Sequence, residues 1–252
     1  MAKRVTGKNL EIKKNSSQLD ELRKDLEACA DPKRAESTKW FFKTGPGEYG
    51  EGDVFIGVPV PAIRALASRY RDLDRDSTLA LLRSSVHEER TLALVILIRQ
   101  FKKGSPDGRQ AIFDLYLDNT AYINNWDLVD LSAKWIVGGH LRDKPKDVLY
   151  TLARSSSLWE RRIAVLATFP YINEGDSDDA LRIAETLLPD RHDLIQKAVG
   201  WMLREVGKRC SERIEEDFLR QHYRHMGRTA LRYAIERFAE GKRLAYLRGE
   251  IE

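Results

Sequence analysis

Apolar residues recur along this chain at the three-and-four spacing of amphipathic helices, and no strand pattern interrupts them. Leucines at that spacing in QLDELRKDLEACA begin the helical body after Ser16 and Ser17. A second helix runs from Asp31 through Trp40 to Phe42, with Pro32 in its first turn. The largest break, TGPGEYGEGD, covers 44–53. Beyond it the spacing predicts helices at 60–71, 75–84, 87–102, 107–119, 125–138, 144–154, 158–169, 177–188, 191–208, 211–221 and 227–240. Breaks fall at Gly104-Ser105-Pro106, Gly138-Gly139, Pro170, Pro189-Asp190 and Gly227.

Five segments, opening near Glu89, Asn125, Glu160, Gln196 and Arg228, share one helical pattern. Three of them align residue by residue. Asn125, Glu160 and Gln196 are followed three residues on by Leu128, Ile163 and Val199, then by Val129, Ala164 and Gly200, and later by Leu131, Leu166 and Met202. A recurring amphipathic helix with a period of roughly 35 residues marks two-helix repeats that stack into a solenoid, and HEAT-like repeats are the closest length class. The expected fold is an all-α, HEAT-like helical-repeat solenoid, an α-α superhelix. It comprises one domain at 17–240, preceded by a basic tail at 1–16 and followed by a tail at 241–252.

The same register sets four residues apart from the apolar stripe. Counting from Asn125, Glu160 and Gln196, Trp126 follows by one, Arg162 by two, and Asp130 and Trp201 by five. At about 100° per residue these offsets share a sector of roughly 100°, opposite the apolar offsets. They therefore occupy one side of three neighbouring helices, the side a stacked repeat turns to its concave face.

Composition narrows the class. A chain of 252 residues with 42% hydrophobic and 33% charged residues can bury a sizeable core while leaving each helix one wet face. No apolar run reaches the roughly 20 residues needed to span a bilayer. The start MAKRVTGKNL is basic but lacks the apolar stretch of a signal peptide, so a cytoplasmic protein is expected. Cys29 and Cys210 are far apart and outside any CxxC or Cys/His cluster, which reads as buried free thiols. The formal charge is +4, and the tail alone accounts for it, with Lys3, Arg4, Lys8, Lys13 and Lys14 against Glu11. Such a bulk charge does not by itself indicate nucleic acid, although a local basic groove remains compatible with it.

Most motif-like features have ordinary readings. GPGEYG at 45–50 matches GxGxxG formally, but a dinucleotide loop must follow a strand and open a helix, whereas this one follows a helix-like WFF run. It reads as a loop capping the first helices. His222 and His225 are three apart and His87, His140 and His192 are scattered without HExxH spacing, so they read as surface or satisfied histidines and no metal or cofactor is expected.

The Trp126, Asp130, Arg162 and Trp201 set is different. Singly, each tryptophan could be packing and the aspartate an ion-pair partner; together they form a constellation that a solenoid core does not require. Aromatic faces favour cationic groups, arginine holds phosphate through two nitrogens, and a lone carboxylate stabilises positive charge or orients a water. The set suits a phosphate-linked ligand whose reacting centre becomes cationic, such as a nucleotide losing its base. Lys197 and Arg204, on the helix of Trp201, read equally well as phosphate contacts or as solvated charges.

At these residues the chain resembles the DNA alkylation repair glycosylases of the AlkD type, which are built from HEAT-like repeats. The resemblance rests on FFKTGPGEYGEGDVFIGV, NNWDLVD, LWERRIAVL and IQKAVGWMLRE and spans about 17–240. It implies that Trp126 and Trp201 cradle the deoxyribose of a damaged nucleotide, that Asp130 is the catalytic carboxylate and Arg162 a phosphate-binding arginine, with Arg204 a further backbone contact. It also implies an aromatic from the N-terminal region, either Phe41 or Tyr49. The implied activity is excision of N3- and N7-alkylated purines from double-stranded DNA by a monomer, without metal, membrane or base flipping. Two alternatives stand beside this one: a non-catalytic HEAT-like module that binds branched or distorted DNA, and a protein-interaction scaffold.

Overall fold

The computed structural model of the protein describes residues 17–251; the tail expected at 1–16 lies outside them. The described residues are helical with no strand, apart from an isolated bridge between Val54 and Val86. No helix among them is long and apolar enough to cross a membrane. They form two compact units, one ending at Leu128 and the other beginning at Val129.

The first unit contains α1 (17–27), α2 (Pro32–Phe41), α3 (Val60–Arg69), α4 (Arg75–Leu82), α5 (His87–Lys103), α6 (Pro106–Leu117) and the first turn of α7 (Trp126–Ala133). Helix α5 is its centre. It buries residues on every side, among them Leu92, Ala93, Leu94, Ile96 and Leu97, and packs against α3, α4 and α6, as expected of its continuous apolar run LALVILI at 92–98. Leu22 and Leu26 bury one face of α1. Arg23 forks onto Glu89 at 3.0 and 3.1 Å, and Asp25 accepts from Arg69 and Tyr70 at 2.7 Å each, so α1 is tied to α5 and α3.

The break between α2 and α3 is irregular yet firmly held. Glu88 accepts the Ile56 amide at 3.2 Å and the Gly57 amide at 2.7 Å, and Asp53 accepts from Arg90 at 2.6 Å. Gly57 has φ +81°, and a Cβ there would lie 2.1 Å from the Asp31 carbonyl oxygen, so glycine alone fits. The GxGxxG-like run lies in this loop without a preceding strand, and the context of a dinucleotide site is absent.

In the second unit α7 passes into a π-turn at Lys134–Gly138, followed by α8 (Asp147–Ala153), α9 (Leu158–Leu166), α10 (Phe169–Asn173), α11 (Asp178–Leu187), α12 (Asp193–Arg209), α13 (Glu212–His222), α14 (Arg228–Ala234) and α15 (Glu240–Arg248). Two layers result. Helices α9, α12 and α14 lie side by side, while α8 packs on α9, and α11 and α13 on α12. The aligned apolar positions Ile163, Ala164, Val199, Met202 and Leu231 fill the space between the helices. Gly200 is where α12 meets α14, and a Cβ there would stand 2.3 Å from the Ala230 carbonyl oxygen.

The departures from the expected helices have local causes. The helix expected at 158–169 ends at Leu166, and Pro170, which lacks an N–H, sits in the first turn of α10 instead. The segment assigned to a C-terminal tail forms α15, with Tyr246 buried against Tyr223 at 5.2 Å and Phe238 at 5.7 Å. Cys29 and Cys210 are free thiols, but half-buried rather than buried.

Candidate active site

Helix α7 begins with a cap. Asn125 accepts the Trp126 amide on Oδ1 at 2.8 Å and donates from Nδ2 to Asp53 at 3.3 Å. This anchors the first turn and sets Trp126 and Asp130 one turn apart on the same helix face.

Trp126 belongs to an aromatic cluster in the first unit. Its ring stacks on Phe42 at 5.2 Å and 20°, meets the edge of Phe41 at 5.8 Å, and donates from Nε1 to the Tyr49 hydroxyl at 3.2 Å. Phe41 and Tyr49, the two aromatics left open by the sequence, thus both touch Trp126. Phe41 is 57% exposed and its neighbour Trp40 85%, so Phe41 presents its ring to solvent while Tyr49 holds the indole N–H.

Beneath this cluster lies a buried polar network that sequence reasoning missed. His87 stacks on Phe55 at 4.5 Å and lies 5.1 Å from Phe42, with its two ring nitrogens on Asp53 (3.2 Å) and Asp127 (2.8 Å). Burial disfavours ionised Asp53, but the His87 hydrogen bond and the Arg90 charge outweigh it and hold the carboxyl below the usual range. Burial likewise works against a charged His87, and the hydrogen bonds to Asp127 and Asp53 outweigh it, raising the imidazole above its ordinary value.

In the second unit Asp130 receives a fork from Arg162. Nε and Nη2 donate to Oδ1 and Oδ2, each at 2.8 Å, and Nη1 donates to the Leu194 carbonyl in the first turn of α12. The side chains are 6% exposed for Arg162 and 19% for Asp130. Arg162 is therefore buried among protein partners, although the register placed it on an open face. The carboxylate is oriented with its charge matched, and the pair is a single electrostatic unit.

Trp201 is half-buried on α12, 6.3 Å from Phe169. Its Nε1 donates to Glu205 at 3.3 Å, and Glu205 accepts from Arg209 at 2.6 Å. Burial opposes ionisation of Glu205, yet the Arg209 hydrogen bond and charge hold its carboxyl below the usual range. The Trp-x3-Glu-x3-Arg spacing was visible in the sequence as one face of a helix; the burial that makes Glu205 an anchor was not. Lys197 pairs with Asp193 at 2.6 Å and Arg204 with Glu236, so both cations have carboxylate partners near the surface.

The fold is thus of the all-α helical-repeat class, with an aspartate–arginine fork and two indoles whose N–H groups are each tied to a protein oxygen. The sequence pattern of the family described as DNA alkylation repair enzyme matches residues 22–238. The chain belongs to this family, and its role lies in DNA alkylation repair, with DNA as its partner. Among solved structures it is similar to a predicted DNA alkylation repair enzyme from Enterococcus faecalis, at 18% identity and a TM-score of 0.64 over 84% of this chain and 97% of that one. It is also similar to AlkD2 from Streptococcus mutans, at 18% identity and a TM-score of 0.52 over 90% and 99% of the two chains. The smu.31 protein from Streptococcus mutans UA159 gives 18% identity and a TM-score of 0.50 over 90% and 100%. At these identities the likeness shows the fold. No curated protein matches the chain.

Proposed function

We propose that the protein is a DNA glycosylase that hydrolyses the N-glycosidic bond of cationic N3- and N7-alkylated purines in duplex DNA without flipping the base. The observation that carries this reading is Asp130, oriented by the Arg162 fork one helical turn from Trp126.

Alkylation at N3 or N7 makes the purine cationic. When the bond from C1′ to the base nitrogen breaks, the electron pair leaves with the purine, which departs neutral and needs no general acid. Positive charge then develops on the sugar. A carboxylate already aligned by two charge-assisted hydrogen bonds stabilises that charge without reorganising, and it orients the water that adds to C1′. Trp126 and Trp201 supply aromatic faces toward the cationic nucleotide. Tyr49 and Glu205 hold the indole N–H groups and so set the orientation of those rings.

Arg162 acts first by positioning Asp130, and the second hydrogens on Nη1 and Nη2 are what it can offer a phosphate. Arg204 and Lys197 exchange their carboxylate partners for the DNA backbone. Exposed pairs of this kind are worth about 0–1 kcal/mol, so the exchange is cheap. The test is incubation with a duplex carrying 7-methylguanine, with Asp130→Asn as control, followed by assay of free base and abasic sites. Release that is lost in the variant supports the reading. Salt-sensitive binding with no release replaces it with a DNA-binding module.

A further inference from the structure

Asp127 and Asp53 approach the same imidazole from opposite sides. Asp127 lies in the first turn of α7 and meets Nε2 of His87 at 2.8 Å; Asp53, in the loop before α3, meets Nδ1 at 3.2 Å. Asp53 and His87 side chains are 3% and 4% exposed. A neutral imidazole carries one N–H: the Nδ1–H tautomer turns the Nε2 lone pair toward Asp127, and the Nε2–H tautomer leaves Nδ1 beside Asp53 with only the longer 3.3 Å contact from Arg90 Nη2. Only the imidazolium donates to both. Charge gives the same answer: with Arg90 on Asp53 at 2.6 Å, two carboxylates face two cations if His87 is protonated, and the half-buried Asp127 charge is left over if it is not.

The network is joined to the candidate site at three points, all in the first unit. Asp127 follows Trp126 directly, and its Oδ1 is buried with no hydrogen-bond partner among the described residues. Asn125, which caps the Trp126 amide, is held by Asp53. Phe42 lies against both the His87 ring, at 5.1 Å, and the Trp126 ring, at 5.2 Å.

We infer that His87 is the positioning residue of Trp126: as an imidazolium bridging Asp53 and Asp127 it locks the first turn of α7, and loss of its proton releases that turn. The groups that face it are Asp53 from the loop, Asp127 from α7 and Arg90 from its own helix, with Phe42 and Phe55 on its ring faces. Both carboxylates favour the proton and Arg90 opposes it. The locked state is therefore lost as pH rises through the raised imidazole value. The functional part of this inference rests on the glycosylase reading; the structural part does not.

The experiment follows the His87 ring signals and the Trp126 indole N–H by NMR in the intact protein as pH is raised, with His87→Asn and Asp127→Asn for comparison. His87 titrating above the ordinary histidine value, with the Trp126 signal shifting or broadening in the same transition, is the expected result. Neither variant should show that Trp126 transition. A His87 ring that is neutral at pH 6.5, or a Trp126 signal that ignores its titration, overturns the inference. The same pH series is then run on 7-methylguanine release. Excision should fall on the order of tenfold to a hundredfold across the transition, as expected for a displaced site group, and His87→Asn should begin at the low level with a flat response. If no release occurs at any pH, the glycosylase reading fails while the NMR result still decides the lock. If His87→Asn does not fold, the wild-type titration alone carries the test.

Discussion

Asp130→Asn removes one negative charge while preserving shape, and its two consequences can be calculated separately. In the native protein both carboxylate oxygens accept from Arg162 at 2.8 Å in a largely buried setting. Asparagine keeps one acceptor but turns an NH2 group toward the other guanidinium N–H and leaves the Arg162 charge without its carboxylate, so the loss runs from about 1.5 kcal/mol for one hydrogen bond to a charged group to about 5 kcal/mol for a broken buried pair. For a chain of this size each kcal/mol shifts Tm by about 2–4 °C, so Tm should drop by about 3–20 °C. From a typical stability of about 5–15 kcal/mol most of that range leaves the variant folded at 25 °C, and the melt identifies the case that does not. The catalytic loss belongs to another scale, because removing a preorganised charge from the reacting centre typically costs about a hundredfold or more. Single-turnover release from a 7-methylguanine duplex at 25 °C, read beside a thermal melt, separates the two. A variant with a lowered Tm but a rate within threefold of wild type would refute the catalytic role and leave Asp130 as a structural ion-pair partner. Asp130→Ala is the poorer probe. It removes the remaining acceptor as well as the charge, so its cost lies at the upper end, about 3–5 kcal/mol, enough to confuse unfolding with lost chemistry.

Other expectations follow from the same geometry. Arg162→Lys keeps the charge but cannot form the fork, so excision should fall about as far as in Asp130→Asn, and a lysine variant with full single-turnover activity would show that orientation is not what Arg162 supplies. Affinity for duplex DNA should fall with salt at a log–log slope near 0.9 per phosphate contacted, and Arg204→Ala and Lys197→Ala should each lower that slope by about one in a binding titration. Glu215 offers a stability test outside the site. Burial, then the Glu212 charge, raise its carboxyl to about 8 from 4.5, and its Oε1 has no hydrogen-bond partner among the described residues. Because the folded value lies above the unfolded one, the native state binds the extra proton. Stability should therefore be fullest below about pH 4.5 and decline as pH rises toward 8, by roughly 5 kcal/mol at most, then level off. Glu215→Gln should abolish that part of the slope in denaturant melts taken from pH 5 to 9, and an unchanged slope would remove Glu215 as its cause.

Much of the fold was legible because it is written in local spacing. The helices from α3 to α14, apart from α10, fall close to where the apolar period placed them, and Pro32 and Pro106 mark helix starts as first-turn prolines do. The Trp126 and Asp130 pairing on one face was legible for the same reason, since four residues make one helical turn. Helix α15 was not legible, because its burial comes from Tyr223 and Phe238 rather than from a stripe of its own. Arg162 shows the limit most clearly. Its offset places it beside the aromatic set, but offset cannot say whether a guanidinium reaches solvent or turns onto a carboxylate on another helix.

The sequence by itself determined the helical repeat, its register, the membership that FFKTGPGEYGEGDVFIGV, NNWDLVD and KAVGWMLRE announce, and the residues that share a helix face. Those properties depend on backbone periodicity over a few residues, which side-chain pattern records directly. Only the tertiary structure decided which polar groups meet: Arg162 with Asp130, Tyr49 with Trp126, and His87 between Asp53 and Asp127. These partners stand 32 to 77 residues apart in the chain. Their pairing is set by how helices stack and by the cost of leaving a buried charge or donor unpaired, and no local run of residues encodes either.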